Sequence, residues 1–126
     1  MGHSDEIAIV DANFPASSCA FTAGRQLLSS PGVQAAPLLE ATLALLPLDD
    51  YVTECAWVMR PVEDPPRERE ALTEIRSVLD HYGAAHGSLS REDFYSRTRS
   101  CFLIVQCGEL RRYGNVILKK GVIATD

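Results

Sequence analysis

No two of the four cysteines, Cys19, Cys55, Cys101 and Cys107, are separated by just two residues, so the spacing of a zinc ribbon or a thioredoxin-type redox pair is missing. Cys55 and Cys101 lie in apolar runs where a thiol behaves as a small hydrophobe, and all four read as buried or idle thiols with no metal site implied. A membrane span is missing too. The longest apolar-rich stretch, residues 37–48, contains Glu40, Thr42 and a second proline and falls short of the roughly 20 residues a span needs. Basic charge is scarce: 12 Lys plus Arg stand against 17 Asp plus Glu, a net charge of −5. Such a balance is ill suited to gripping phosphate backbones, so no nucleic-acid partner is expected. Met1 opens onto neither a cationic region nor an apolar segment, so no signal peptide is expected and a cytoplasmic location follows.

What is present suits one folded domain over residues 1–126, since a chain of 126 residues normally builds a single hydrophobic core. A hydrophobic share of 46% with 23% charged residues argues against disorder, collagen-like repeats and coiled coils. Ile7-Ala8-Ile9-Val10 is a short, mostly β-branched run, a buried strand leaving into a loop at Asp11. Pro37 suits the first position of a helix whose apolar face is Leu38, Leu39, Thr42, Leu43, Leu45 and Leu46, with Pro47 as its stop. Residues 51–59 read as a strand, with Trp57 as a core or interface anchor. Leu72, Ile75, Leu79 and Tyr82 recur at the helical period and end at Gly83, the charged residues of 67–74 forming its solvated side.

Ser90 followed by Asp93 resembles a capping box, which predicts a short helix carrying Phe94, Tyr95 and Arg97. Residues 101–107 form an apolar central strand ended by Gly108, and Val116, Ile117 and Leu118 a last one. The pattern predicts an α/β fold: a single domain with helices packed on a mixed, largely parallel central sheet.

Three places carry candidate chemistry. His3 stands beside Asp5 and Glu6, and an imidazole can give or take a proton near neutral pH; the plainer reading is a surface residue near a chain start. Asp11 sits at the carboxyl edge of the first strand, where open α/β sheets usually bind ligands, although a turn or cap role fits as well. Tyr113-Gly114-Asn115 offers a phenol, a flexible backbone and a carboxamide for the hydroxyls of a polyol, and is equally the chemistry of a tight turn. Arg91 and Arg97 present planar donor forks that need no special purpose on a surface helix. His81 and His86 flank the helix end at Gly83 and read as helix-terminus or loop residues.

Two segments together resemble the L-fucose mutarotase and D-ribose pyranase family, the fucose-type branch more closely. They are Gly2-His3-Ser4-Asp5-Glu6-Ile7 leading to Asp11-Ala12-Asn13-Phe14-Pro15, and Tyr113-Gly114-Asn115-Val116-Ile117-Leu118-Lys119-Lys120-Gly121-Val122. Leu38-Leu39-Glu40-Ala41, Leu45-Leu46-Pro47-Leu48-Asp49-Asp50-Tyr51-Val52, Arg91-Glu92-Asp93-Phe94-Tyr95 and Cys107-Gly108-Glu109 support it. The resemblance implies an isomerase that interconverts the anomers of L-fucose or a related free pyranose by acid–base ring opening, without a cofactor. It puts His3 on the family's proton-donating histidine. Asp11 and Arg91 fall on its sugar-binding residues, Tyr113, Gly114 and Asn115 on its last substrate-binding segment, and Tyr95 on a tyrosine of its motif. It further implies a homo-oligomeric ring, commonly a decamer, with a monosaccharide as partner. The family's pattern usually includes a helix ahead of the Gly-His pair that this chain does not show. A sugar-binding or assembly module of the same fold, without catalysis, is the alternative reading.

Overall fold

The computed structural model describes residues 2, 4–24, 26–46, 48, 54–62 and 69–121. Along them run β1 (Glu6–Val10), α1 (Ala16–Ala23), β2 (Gln26–Ser30), α2 (Ala35–Leu43), β3 (Ala56–Met59), α3 (Glu70–His81), β4 (His86–Leu89), α4 (Arg91–Arg99), β5 (Leu103–Cys107) and β6 (Val116–Lys119). The strands form one sheet in the order β2-β5-β1-β6-β3-β4. Only β6 runs against its neighbours: it is antiparallel to both β1 and β3, and the remaining pairs are parallel. This is the mixed, largely parallel α/β sheet that the sequence predicts.

The central part of β1, β6 and β3 is buried on both faces and reads as continuous apolar sequence with no alternation. Ala8, Ile9 and Val10 of β1 and Val116, Ile117 and Leu118 of β6 are all fully or almost fully enclosed. Helix α1 packs on α4, and α2 on α3. Leu72, Ile75 and Leu79 bury the expected stripe of α3, while Tyr82 stays 41% exposed beyond the helix end. Gly83 there has a φ of 66°, the left-handed conformation that suits a glycine after a helix. Arg97 fastens α4 to the sheet. Its Nε and Nη2 donate to the two carboxylate oxygens of Glu6, each at 2.8 Å, and its guanidinium lies 3.5 Å from the centre of the buried Trp57 ring.

Some boundaries differ from expectation. Helix α2 starts at Ala35 behind an extended Gln34, so Pro37 is its third residue, not its first. Proline is tolerated there because the first N–H groups of a helix have no partner within it. Its buried stripe is Ala35, Ala36, Leu39 and Leu43, and Leu45, expected on the apolar face, is 89% exposed beyond the last turn. Strand β3 begins at Ala56; residues 51–53 of the expected strand, and Pro47, lie outside the described residues. His86, read as a helix-terminus or loop residue, opens β4. All four cysteines are buried.

Candidate active site

The carboxyl end of β1 delivers Asp11 into a tight turn, where Phe14 N–H donates to the Asp11 carbonyl at 3.2 Å. The Asp11 side chain stays on that turn: its Oδ1 accepts the Asn13 N–H at 3.0 Å. The loop from β5 to β6 comes alongside. Asn115 Oδ1 accepts the Asp11 backbone N–H at 2.8 Å, and both residues are buried. Burial pushes the Asp11 carboxyl above its ordinary value, opposed by hydrogen bonds from the backbone of Asn13, Gly114 and Phe14 and from the Asn115 side chain.

Tyr113 has a φ of 65°, a conformation that an aromatic residue adopts only when its surroundings hold it. One such hold is the Val62 N–H, which donates to the Tyr113 hydroxyl at 3.1 Å. Behind this loop lies an ion cluster absent from the expected site. Glu109 is buried, with Oε1 accepting from Ala35 N–H at 3.3 Å and Oε2 from Arg111 Nε at 2.9 Å. Arg111 continues to Glu74 of α3 through two bonds of 2.8 and 2.7 Å. Its guanidinium holds the Glu109 and Glu74 carboxyls below their ordinary values. Glu74, expected on a solvated face, instead ties α3 to the loop.

Helix α4 supplies the opposite wall. Ser90 Oγ accepts the Asp93 N–H at 3.2 Å, as the capping pattern predicts, which makes Arg91 the first helical residue. Tyr95 follows four residues later on the same face. The Phe14 ring meets Tyr95 edge-on, with centroids 5.1 Å apart.

Between these walls is a cavity of about 380 Å³ lined by Asp11, Arg91, Tyr95, Tyr113 and Asn115, five of the residues singled out from sequence. Gly114, also nominated, is not one of the lining residues; it packs behind them, where a Cβ would stand 3.5 Å from the Asp11 Cβ. The same cavity is lined by Asn13, Phe14, Met59, Val62 and Arg112, which sequence reasoning did not nominate. Asn13 and Phe14 neighbour Asp11, and Arg112 neighbours Tyr113, so proximity to nominated residues was the available signal; Met59 and Val62 carried none. The lining combines one carboxylate, two guanidiniums, two phenols and carboxamides with apolar surface, a set able to hold a polyhydroxylated ring. No group of three or more His, Cys, Asp or Glu that could hold a metal ion occurs among the described residues.

His3 lies outside the described residues. Its chain neighbours are held at the other end of β1: Ser4 N–H donates to the Lys120 carbonyl at 3.0 Å, and Gly2 N to Asp5 Oδ2 at 2.7 Å.

A scan against family models matches residues 1–123 to the RbsD / FucU transport protein family. The chain belongs to this family. Among relatives, it is 42% identical to a fucose mutarotase of Homo sapiens, covering 98% of this chain and 83% of that protein. It is 38% identical to an L-fucose mutarotase of Haemophilus influenzae, covering 97% and 84%. Among solved structures, the fucose mutarotase of Streptococcus pneumoniae in complex with L-fucose superposes with a TM-score of 0.88 at 38% identity, covering 98% of this chain and 87% of that one. The RbsD / FucU membership thus extends over the strand bearing Asp11, the helix bearing Arg91 and the loop bearing Tyr113 to Asn115.

Proposed function

We propose that the protein is an aldose mutarotase that interconverts the α and β anomers of L-fucose. The observation that carries this reading is the cavity itself: Asp11, Arg91, Tyr95, Tyr113 and Asn115 converge on one space of about 380 Å³, within the roughly 300–1,000 Å³ of small-molecule sites. It occurs in a chain whose relatives are named fucose mutarotases.

Anomer exchange begins when the ring oxygen takes a proton and the anomeric hydroxyl loses one, as the C1–O5 bond breaks to give the open aldehyde. Rotation about C1–C2 and reclosure on the other face complete it. Because this reaction already proceeds in water, acid–base catalysis worth roughly 10²–10⁴-fold, about 3–5 kcal/mol, is sufficient. In our reading Asp11, Arg91 and Asn115 hold sugar hydroxyls. Tyr113, whose oxygen already accepts the Val62 N–H, directs its own proton to the sugar. Tyr95 and Phe14 cover the apolar edge.

The acid is assigned to His3, and we assign it to a second copy of the chain. Five residue steps of about 3.3 Å separate Glu6 from Asp11 along β1, and Gly2 and Ser4 are bonded at the Glu6 end. A homo-oligomer, for which the family resemblance suggests a ring, supplies an imidazole to each cavity from its neighbour. Phe21, Leu28 and Leu110, exposed at 90%, 55% and 78%, offer apolar surface for such contacts. A cytoplasmic setting with free monosaccharide as ligand completes the proposal; no helix among the described residues is long and apolar enough to cross a membrane.

Exchange NMR on equilibrated L-fucose tests this reading. Exchange should quicken with the protein and revert to the solvent rate with His3→Ala. Mixing His3→Ala with Asp11→Asn chains should restore part of it, because hybrid assemblies contain sites with both native groups. Sugar binding without exchange would favour the non-catalytic alternative, and absence of both would overturn the reading.

A further inference from the structure

Gln106 of β5 is paired with Val10 of β1, one residue before the strand gives way to the turn that carries Asp11. Its side-chain Nε2 lies 3.2 Å from the Asp11 carbonyl oxygen, 3.3 Å from that of Ala12 and 3.0 Å from that of Phe14. A carboxamide nitrogen has two hydrogens, so three acceptors share them around one donor. Three carbonyl oxygens aimed at one point repel one another unless a donor stands between them. The turn therefore depends on a donor supplied by another strand.

We propose that Gln106 is a positioning residue that holds the Asp11 carboxylate in its sugar-binding orientation, an inference resting on the mutarotase reading above. The route is short. Asp11 Oδ1 is bonded to the Asn13 N–H of the same turn, so the carboxylate turns wherever the turn goes. Asn115 grips the backbone N–H of Asp11 from the β6 side, and Gln106 grips the carbonyls from the β5 side. With Gln106 removed, Asp11 keeps its N–H tether and Ala12 its N–H bond to the Glu109 carbonyl, while the carbonyls of Asp11, Ala12 and Phe14 lose the donor that draws them together.

The test compares Gln106→Leu, which keeps bulk and removes the donor, with Gln106→Glu, which keeps shape and faces the carbonyls with an anion. In exchange NMR, the KM for L-fucose should rise about tenfold in Gln106→Leu, equivalent to about 1.4 kcal/mol, and further in Gln106→Glu near neutral pH. The kcat should change less, because the acid sits elsewhere. On acidification towards roughly pH 5 the Glu variant should recover relative to the parent protein, as its carboxyl takes up a proton and can donate again. A loss of packing alone would give no such recovery. Should Gln106→Glu fail to fold, Gln106→Met takes its place, expected to match Gln106→Leu. A second readout needs no sugar: the ¹³C titration of the Asp11 carboxyl should shift between parent and Gln106→Leu. Unchanged KM and an unchanged Asp11 titration in folded variants would overturn the proposal. A parent protein that neither binds nor exchanges L-fucose would overturn the mutarotase reading instead, and the Asp11 titration would still decide whether Gln106 orients that carboxylate.

Discussion

A Cβ placed on Gly114 would stand 2.6 Å from the Cγ of Glu109. The glycine at the centre of the Tyr113-Gly114-Asn115 segment therefore lets the site loop lie directly on a buried carboxylate side chain. Glu109 cannot swing away, because its oxygens are bonded to Ala35 and Arg111. Gly114→Ala should cost about 1–3 kcal/mol, as overpacking of a filled interior does. It should weaken L-fucose binding more than a distant substitution of equal stability cost. Calorimetric titration alongside thermal unfolding checks this, and full affinity in the alanine variant would contradict it.

Glu109 itself should be worth more to stability than an exposed ion-pair partner. Removing one member of a fully buried pair costs roughly 3–5 kcal/mol; about 2 kcal/mol is expected for Glu109→Gln, because Arg111 is 30% exposed and keeps Glu74. The folded-state carboxyl lies below its ordinary value of 4.5. Its stabilising contribution is therefore present above that value and lost as pH falls through the lower folded one. Urea unfolding as a function of pH should show the parent and Glu109→Gln converging in acid.

How far the sequence anticipates this molecule depends on where each segment sits in the sheet. Residues 8–10 of β1 and 116–118 of β6 are apolar and enclosed, and β5, though only partly buried and carrying Gln106, is apolar enough for all three strands to be legible at once. The edge strands β2 and β4 pair on one side only. They are built of Gln26-Leu27-Leu28-Ser29-Ser30 and His86-Gly87-Ser88-Leu89, without β-branched residues or clean alternation. Helix α1 has no side-chain cap, no acid in its first turn and no base in its last, so the usual end signals are missing.

The site divides in the same way. Residues in or beside recognisable segments, such as Asp11, Arg91 and Asn115, were within reach. Gln106, Glu109 and Arg111 matter through partners distant in the chain, such as Phe14, Ala35 and Glu74, and no local pattern announces such a pairing.

Ser90 ties a local signal to the cavity wall. Its Oγ accepts the Asp93 N–H, and Ser90→Ala should lower stability by about 1 kcal/mol, the usual cost of losing such a cap. Arg91 and Tyr95 occupy the turns that the cap holds, so L-fucose affinity should fall with it. Ser90→Asp, which restores an acceptor, should recover most of both losses. Chemical denaturation and sugar titration on the two variants provide the measurement.

Asp11 sets stability against binding. Burial raises its folded-state carboxyl above the ordinary 3.8. Its contribution to stability is therefore fullest below that value and declines as pH rises through the folded one, since the ionised form must then stay buried. Asp11→Asn cannot ionise, so its stability relative to the parent should improve as pH climbs from acid to neutral. Sugar binding should run the other way. The parent should gain L-fucose affinity as the carboxylate forms and becomes a full acceptor for sugar hydroxyls, while the weaker affinity of Asp11→Asn stays level over that range. Paired urea unfolding and calorimetric titration across the pH range measure both curves. If variant and parent kept a constant stability difference from acid to neutral pH, the carboxyl would not carry the burial cost assigned to it.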